Sequence, residues 1–279
     1  MHFKKNKKKS DFLYGSNEIE YLKVATGSWR FYNKISIDHY QDIVAKHLQY
    51  RKEQRELKRD TKRNVTRFKY DNVSYIVKDF IASLRPEFFS VARQSWLGSQ
   101  FLRDYTVPCL AWNHSKTGGD FIIYLDAGPG NFCEKDYLGY RDIENLYYEC
   151  GALLGELHLN GFYHADTKPS NFVVNSLIPE LDKKVVIIDC DRVLCYSKMP
   201  PLKRCLKNVA QFLAGTKKIS DLSQWLKFTK AFRAGYQEKV NLAPQAADLF
   251  WQNVLHVIQT PKYKIENHLT QKHFDLWNK

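Results

Sequence analysis

The feature that most constrains this chain is a long amphipathic segment that ends directly before a group of polar residues. Residues 140–160 carry apolar side chains at helical spacing, and Gly161 follows as a helix stop. The next residues, 164–171, read HADTKPSN and supply a histidine, an aspartate, a lysine and an asparagine. Polar groups set so closely behind a helix indicate a loop that carries chemistry.

Strand patterns precede this helix and helical patterns follow it. Residues 64–80 predict a hairpin, because two β-rich runs flank Asp71 and Asn72, a favourable two-residue turn. The other periodic segments are a helix at 86–103, a strand at 121–127, two strands within 172–189 and helices after about 200. This order predicts an α+β chain with two lobes.

The positive charge is concentrated near the start of the chain. Residues 1–69 hold 18 Lys and Arg against 8 Asp and Glu, a balance of +10 out of a total of +13. Such a region suits an anionic partner, either membrane headgroups, a phosphorylated glycolipid or nucleic acid, but a plain solvated surface explains it equally well. Since no cluster of aromatic and basic residues has the spacing of a recognition module, nucleic acid is not the expected partner.

Cysteine usage and hydropathy indicate the compartment. The six cysteines form no C-x-x-C pair and several lie in apolar runs, which is typical of reduced cysteines in a cytosolic protein. No apolar run approaches the roughly 18 residues that a membrane span needs. The opening MHFKKNKKKS has no apolar region after it, so we expect a flexible basic arm, and any membrane association would be peripheral.

The polar residues fit the requirements of phosphoryl transfer. That reaction needs a carboxylate for the attacking hydroxyl, a lysine for the nucleotide phosphates and oxygen ligands for Mg²⁺. Lys78 lies on a predicted strand, and Asp166 and Asn171 lie on one loop. Asp189 ends the apolar run VVIID, where a carboxylate is costly unless it has a cation or a hydrogen-bond partner.

The motif H-x-D-x-K-P-x-N, followed by I-D-x-D, resembles the catalytic and metal-binding loops of the protein-kinase-like superfamily. Within it, the segments RDTKRNVTRF, ARQSW, IIDCDRV and KRCLKNVAQFLAG resemble bacterial lipopolysaccharide core kinases of the Kdo/WaaP type. Those enzymes phosphorylate inner-core heptose or Kdo with ATP. The resemblance covers about residues 58–235. It implies an antiparallel β N-lobe at 59–126, a larger, mainly helical C-lobe at 127–279, and a basic extension at 1–58.

The resemblance also implies cofactors and residue roles. ATP and Mg²⁺ would be bound, with Asp166 as the base or hydroxyl-orienting residue and Lys168 neutralising the transferred phosphoryl group. Asn171 and Asp189 would bind Mg²⁺, Lys78 would contact the α- and β-phosphates, and His164 would brace the loop. Residues 124–127, which include Asp126 and Ala127, would form the hinge whose backbone contacts adenine. Asp191 would either add a carboxylate near the metal or pair with Arg192.

The sequence departs from the superfamily pattern in three places. No glycine lies between Gly27 and Gly98, so the glycine-rich phosphate loop is missing, and backbone amides flanked by Lys62, Arg63 and Arg67 are candidates to replace it. Residues 88–103 contain no acidic side chain, which leaves Glu87 or Asp189 to hold Lys78. No A-P-E segment follows Asp189, which favours a small-molecule, glycan or glycolipid acceptor over a peptide.

Three functions are therefore in competition. The first is a lipopolysaccharide core sugar kinase, peripheral on the cytoplasmic face of the inner membrane, with its basic N-terminal region on that surface. The second is a protein kinase or another small-molecule phosphotransferase of the same fold. The third is a nucleotide-binding pseudokinase scaffold. The sequence leaves open the acceptor hydroxyl, the number of metal ions and the oligomeric state.

Overall fold

The chain divides into two compact units, Met1–Asp126 and Ala127–Lys279. The structure is a computed structural model that describes residues 19–25, 27–80, 86–116, 119–128, 130, 142–218 and 220–260. The basic segment 1–10 and Cys133 lie outside these residues. Within them, no helix combines the length and the apolarity needed to cross a membrane.

The first unit is built on a seven-stranded antiparallel sheet. Its strands are β1 (Ile19–Val24), β2 (Gly27–Tyr32), β3 (Lys58–Arg59), β4 (Arg63–Tyr70), β5 (Val73–Phe80), β6 (Cys109–Ser115) and β7 (Asp120–Leu125). Their spatial order is β1-β2-β6-β7-β5-β4-β3, so the first two strands lie at the opposite edge from β3 and β4. Asp71 and Asn72 have φ angles of 52° and 63°, which gives the two-residue hairpin turn that the sequence predicts.

Helix α1 (Ile37–Lys52) covers one face of this sheet. It begins after Ser36, whose hydroxyl accepts a hydrogen bond from the N–H of His39 at 3.3 Å. Side chains of alternate strand positions form a buried cluster with Tyr40 and Ile43 of the helix; the strand members are Trp29, Phe31, Phe68, Tyr75, Val77, Ala111 and Ile123. The apolar burial on this face explains why α1 docks here despite its weak helical pattern in the sequence.

A buried carboxylate adds a polar attachment for α1. Asp79 accepts hydrogen bonds from the backbone N–H and the side-chain Nδ2 of Asn64, at 2.9 and 2.8 Å, and from Arg51. The ring of His47 lies 3.4 Å from the same carboxylate. Burial raises the pKa of Asp79, but the contacts from His47 and Asn64 outweigh burial and hold the pKa below its ordinary 3.8.

These contacts change the expected limits of the first unit. The sequence predicted a basic extension at 1–58 and an N-lobe at 59–126, and it left open whether the extension folds onto that lobe. The described residues 19–52 instead contribute β1, β2 and α1 to the unit, because Trp29, Phe31 and the apolar side of α1 complete its core.

The other face of the sheet carries α2 (Val91–Phe101). Tyr32, which alternates with Phe31, contacts Trp96 ring to ring at 5.9 Å and donates a hydrogen bond to Gln100 at 2.8 Å. The helix is shorter than the predicted 86–103, because Ser90 caps its first turn and a separate 3₁₀ turn occupies Glu87–Phe89. Lys78 alternates with Val77 and so lies on this α2 face.

The second unit is mainly helical. Its helices are α3 (Ile143–Leu159), α4 (Leu202–Lys217), α5 (Leu222–Val240) and α6 (Pro244–Ile258). Two short antiparallel pairs complete it, β8 (Phe162–His164) with β11 (Val193–Cys195), and β9 (Phe172–Val174) with β10 (Val185–Ile187). An antiparallel sheet in the first unit and helices in the second confirm the predicted α+β, two-lobed kinase-like fold.

Helices α3 and α5 pack with their backbones in direct contact at two glycines. A methyl group on Gly151 of α3 would overlap with the carbonyl oxygen of Phe232, and one on Gly235 of α5 would overlap with that of Tyr148. Stacked rings line the same interface, with Tyr147 and Phe228 4.3 Å apart. This close approach fixes α3, and with it the start of the loop after Gly161.

Candidate active site

The loop between β8 and β9 folds onto one carboxylate. Asp166 Oδ2 accepts hydrogen bonds from Lys168 Nζ at 2.7 Å and from Asn171 Nδ2 at 3.2 Å. The same Nδ2 also donates to the backbone carbonyl of Asp166 at 2.8 Å. A 3₁₀ turn at Pro169–Asn171 brings the asparagine back to the aspartate, and the fixed φ of proline suits the start of that turn. Three predicted site residues are thus brought together within the second unit.

Helix α4 supports this loop through two residues that the sequence analysis missed, Gln211 and Asn208. Gln211 Nε2 donates to Asp166 Oδ1 at 2.8 Å, and Gln211 Oε1 accepts from the N–H of Thr167 at 3.3 Å. Asn208 accepts from the Thr167 hydroxyl through its backbone carbonyl, at 2.8 Å. The sequence did contain a signal for them: two amide residues, three positions apart, lie on the apolar face that includes Val209 and Phe212. Polar side chains on such a face need hydrogen-bond partners inside the protein.

The environment of Asp166 keeps its carboxylate charged. Partial burial raises the pKa of Asp166, but the hydrogen bond and positive charge of Lys168, with the hydrogen bond from Asn171, outweigh burial. The pKa is therefore below the ordinary 3.8. A carboxylate that stays charged accepts hydrogen bonds, and its low basicity makes it a weak proton acceptor, which suits the orientation of a hydroxyl.

His164 connects the two predicted loops. Its Nδ1 faces the N–H of Asp166 at 3.2 Å, and its Nε2 faces the carbonyl oxygen of Ile188 at 3.1 Å. Since an N–H only donates and a carbonyl only accepts, the ring is neutral with its proton on Nε2. Asn208 Nδ2 in turn donates to the His164 carbonyl at 2.7 Å. This geometry is that of a bracing residue.

Asp189 has an unusual backbone conformation. Its φ and ψ are 61° and 53°, in the left-handed region that few residues other than glycine adopt. The preceding residue, Ile188, donates its N–H to the carbonyl of Asn171 at 2.8 Å, so the two loops adjoin. Asp191 Oδ2 lies 3.9 Å from Arg192 Nε. Of the two roles that the sequence left open for Asp191, this contact corresponds to the ion pair.

The donor set at the two loops fits a hard cation. Asn171 uses its amide nitrogen on Asp166, which leaves its carbonyl oxygen Oδ1 as the atom suited to a metal. Asp189 supplies a carboxylate from the adjoining loop, and Mg²⁺ prefers such oxygen ligands. Within the described residues, His, Cys, Asp and Glu form no group of three that could hold a metal ion.

In the first unit, the predicted cofactor residues have partners of their own. Lys78 is buried in β5, with Nζ 5.4 Å from the centre of the Tyr124 ring. The Asp126 carboxylate is held by Arg67, whose Nε lies 3.0 Å from Oδ2 and whose second nitrogen donates to Oδ1 at 3.2 Å. The side chain of Asp126 is therefore engaged within the first unit.

Glu87 does not take the place of the missing helix glutamate. Its carboxylate accepts from the Ser28 hydroxyl at 3.2 Å and lies 3.8 Å from Arg30. Both partners belong to β2, so Glu87 attaches the 3₁₀ turn before α2 to the sheet. Glu87 and Asp189 were the two candidate partners for Lys78, and Glu87 instead contacts Ser28 and Arg30.

The turn between β3 and β4 contains the backbone amides that were candidates to replace the glycine-rich phosphate loop. The N–H groups of Lys62 and Arg63 both donate to Asp60 Oδ1, at 2.8 and 2.9 Å. The chain's own carboxylate therefore occupies the two amides that were expected to meet phosphate. Lys62 keeps an exposed side chain at this turn, so an ATP contact there would be made by side-chain charge.

Ala127 begins the second unit and is bound through its backbone. Its carbonyl oxygen accepts from the N–H of Ser176 at 2.7 Å and from that of Leu177 at 3.1 Å. In the first unit, the N–H of Asp126 donates to the Ser74 carbonyl at 3.0 Å. Two backbone groups of the segment predicted to contact adenine therefore already form hydrogen bonds within the protein.

Two buried histidines make the stability of the protein sensitive to acid. Burial lowers the pKa of His164 and of His158 to about 4; His158 is held between Tyr236 and Asn208. In the unfolded chain their pKa is about 6.5. Below pH 6.5 the unfolded chain therefore binds more protons, so the free energy of unfolding falls as the pH drops towards 4.

Near pH 5.5 we expect these two histidines to bind close to two protons from solution when urea unfolds the protein. The free energy of unfolding should therefore fall by about 2 kcal/mol for each unit by which the pH is lowered. His158→Gln should halve this slope, whereas replacing the exposed His256 with glutamine should leave it unchanged. A free energy of unfolding that stays constant between pH 7 and pH 5 would contradict the neutral state of both rings.

The comparisons with known proteins found matches among solved structures alone. No protein-family model matches the sequence, and no curated protein matches it. Among the solved structures that match is one described as "WaaP in complex with acyl carrier protein", with 17% sequence identity. The match covers 74% of this chain and 89% of that chain, with a TM-score of 0.47. At this identity and TM-score the match gives no information on function. The function is therefore inferred from the residues described above.

Proposed function

We propose that this chain is an ATP-dependent phosphotransferase that phosphorylates a sugar hydroxyl, of heptose or Kdo, in the lipopolysaccharide inner core. The observation that carries the proposal is the carboxylate of Asp166, held by Lys168, Asn171 and Gln211 beside the left-handed Asp189. The motif resemblance supports the choice of acceptor. The basic charge of residues 1–69 supports a site of action at an anionic membrane surface.

The Asp166 carboxylate has room for one further donor. A carboxylate offers about four acceptor positions, and three donors from the described residues occupy Asp166: two on Oδ2 and one on Oδ1. The remaining position, on Oδ1, would accept the O–H of the sugar. Because the pKa of Asp166 is low, the carboxylate would orient this hydroxyl first and take its proton late in the transfer.

The other residues would act on the nucleotide. Bound ATP with Mg²⁺ would supply the phosphoryl group and the metal charge that stabilises it. Asn171 Oδ1 and the Asp189 carboxylate would hold the metal, and Lys168 would offset charge on the phosphoryl oxygens. Lys78 would contact the α- and β-phosphates, with Asp126 and Ala127 near adenine and the Lys62 and Arg63 side chains near the phosphates.

The test is transfer of label from γ-labelled ATP, with Mg²⁺, to three acceptors in parallel: dephosphorylated lipopolysaccharide core, a mixture of denatured proteins, and water. We expect label in the glycolipid. Label confined to protein would replace this proposal with a protein kinase.

A second outcome has specific structural support. Asp60 occupies the amides of Lys62 and Arg63, and Glu87 pairs with Arg30, so two parts of a usual kinase site are committed elsewhere. Nucleotide binding without transfer to any of the three acceptors would identify a pseudokinase scaffold.

A further inference from the structure

Two cations lie against aromatic rings at the start of α4. The guanidinium carbon of Arg204 is 4.8 Å from the centre of the Tyr163 ring and 5.9 Å from that of Tyr196. Lys207 Nζ is 5.8 Å from the centre of the Tyr163 ring. Both side chains are half-buried, so their charges are held in place rather than extended into solvent.

These charges are not compensated by carboxylates. Among the described residues, neither Arg204 nor Lys207 takes part in an ion pair, and the same is true of the half-buried Lys217. Four other cations of the second unit are paired: Lys183 with Glu156, Lys184 with Asp142, Arg233 with Asp248 and Lys239 with Glu238. Partial burial of two uncompensated cations is unfavourable unless an anion completes the site.

The ring beneath them carries a further unsatisfied group. Tyr163 is 1% exposed, and its hydroxyl has no hydrogen-bond partner within the described part of the chain. The buried hydroxyls of Ser99 and Thr229 also lack a partner among the described residues, and a bound ion is one of the reasons for such a group. The observation is independent of the charges on α4.

The cation pair is on the same face of α4 as the support for Asp166. Gln211, which donates to Asp166 Oδ1, is four residues after Lys207 and seven after Arg204. At a rise of 1.5 Å per residue, the cations begin about 6 and about 10 Å along the helix from Gln211. Residues three, four and seven apart share a helix face. A sugar that presents a hydroxyl to Asp166 could therefore place a second substituent over this pair.

We propose that Arg204 and Lys207 bind an oxyanion, a carboxylate or a phosphate, that the acceptor already carries when it presents its hydroxyl to Asp166. This inference rests on the proposed function and adds a specificity determinant to it. Arginine matches the two oxygens of a carboxylate or phosphate, and lysine adds a compact charge. An acceptor that lacks the oxyanion would bind weakly.

The test uses a lipid-free inner-core oligosaccharide whose acceptor hydroxyl is free, in three forms: intact in its carboxylates and remaining phosphates, with its carboxylates reduced to alcohols, and with those remaining phosphates removed. The protein is compared with an Arg204→Met, Lys207→Met double variant, which keeps the apolar stems on the rings. Lys203→Met, at an exposed position of the same helix, is the matched control. Lys207→Met alone serves if the double variant does not fold.

We expect the double variant to raise KM for the intact oligosaccharide about 10- to 100-fold, the range for lost hydrogen bonds to charged groups. The control should keep the wild-type KM. Wild type and double variant should become alike on the form that lacks the bound oxyanion: the carboxyl-reduced form for a sugar carboxylate, the dephosphorylated form for a phosphate. A double variant with wild-type KM on the intact form would overturn the proposal.

Calorimetric binding of the same oligosaccharides separates this inference from the proposed function. Weaker binding of the intact form by the double variant supports the oxyanion site even if no phosphate is transferred, which would overturn the kinase alone. Equal binding by wild type and double variant, or no binding by either, overturns the oxyanion site.

Discussion

Replacing Asp166 with asparagine is expected to lower kcat for phosphoryl transfer by a factor of about 10² to 10⁴, the usual range for a general base. Asparagine has nearly the same size but no charge, so it neither accepts the hydroxyl proton nor pairs with Lys168, now 2.7 Å from Oδ2. The measurement is kcat at saturating ATP and acceptor.

The matched control is Asp182→Asn, an exposed aspartate in the same unit, which should turn over as the wild type does. Circular dichroism of both variants checks that the fold is retained. If Asp166→Asn kept wild-type turnover, Asp166 would not be the residue that acts on the hydroxyl.

Replacing Gly151 or Gly235 with leucine is expected to lower the free energy of unfolding of the second unit by more than about 4 kcal/mol, a loss on the scale of the most disruptive core changes. At each glycine even a methyl group would overlap with a backbone carbonyl of the facing helix. Backbone does not move aside as a flexible side chain does, so α3 and α5 would have to separate. Urea unfolding followed by circular dichroism measures the loss.

Lys230→Ala is the control for this prediction. Lys230 lies on the exposed side of α5, and alanine favours a helix, so its stability should change by less than about 0.5 kcal/mol. Gly151→Ala should fall between the two, because the better helix propensity of alanine offsets part of the clash. A Gly151→Leu protein as stable as wild type would show that the helices tolerate a wider separation.

Features set by neighbouring residues were predictable from the sequence. The hairpin turn needs only Asp71 and Asn72, both of which adopt positive φ readily. Helix α3 was visible in its periodicity, and the polar loop after it was visible in the spacing of Asp166, Lys168 and Asn171. Each of these depends on fewer than about twenty consecutive residues.

Features set by distant partners were not predictable in the same way. Gln211 is 45 positions from Asp166, and its local pattern, an amide three positions after Asn208 on the apolar side of α4, does not identify the residue that it contacts. Glu87 was a candidate partner for Lys78, but Arg30 and Ser28 hold it, 57 and 59 positions away. The role of α1 was also hidden, because its apolar side is narrow and is recognised only against the sheet that it covers.

The strand order has a consequence for how the first unit forms during synthesis. Strand β2 has β6 as its inner neighbour, so Phe31 pairs with Ala111, 80 residues later in the chain. At ribosomal speeds of about 5–20 residues per second, the N-terminal hairpin waits about 4–16 s for this partner. Until then Trp29 and Phe31, which are 7% and 4% exposed in the folded unit, lack the inner strand that helps to bury them, and apolar side chains exposed in this way favour aggregation of the nascent chain.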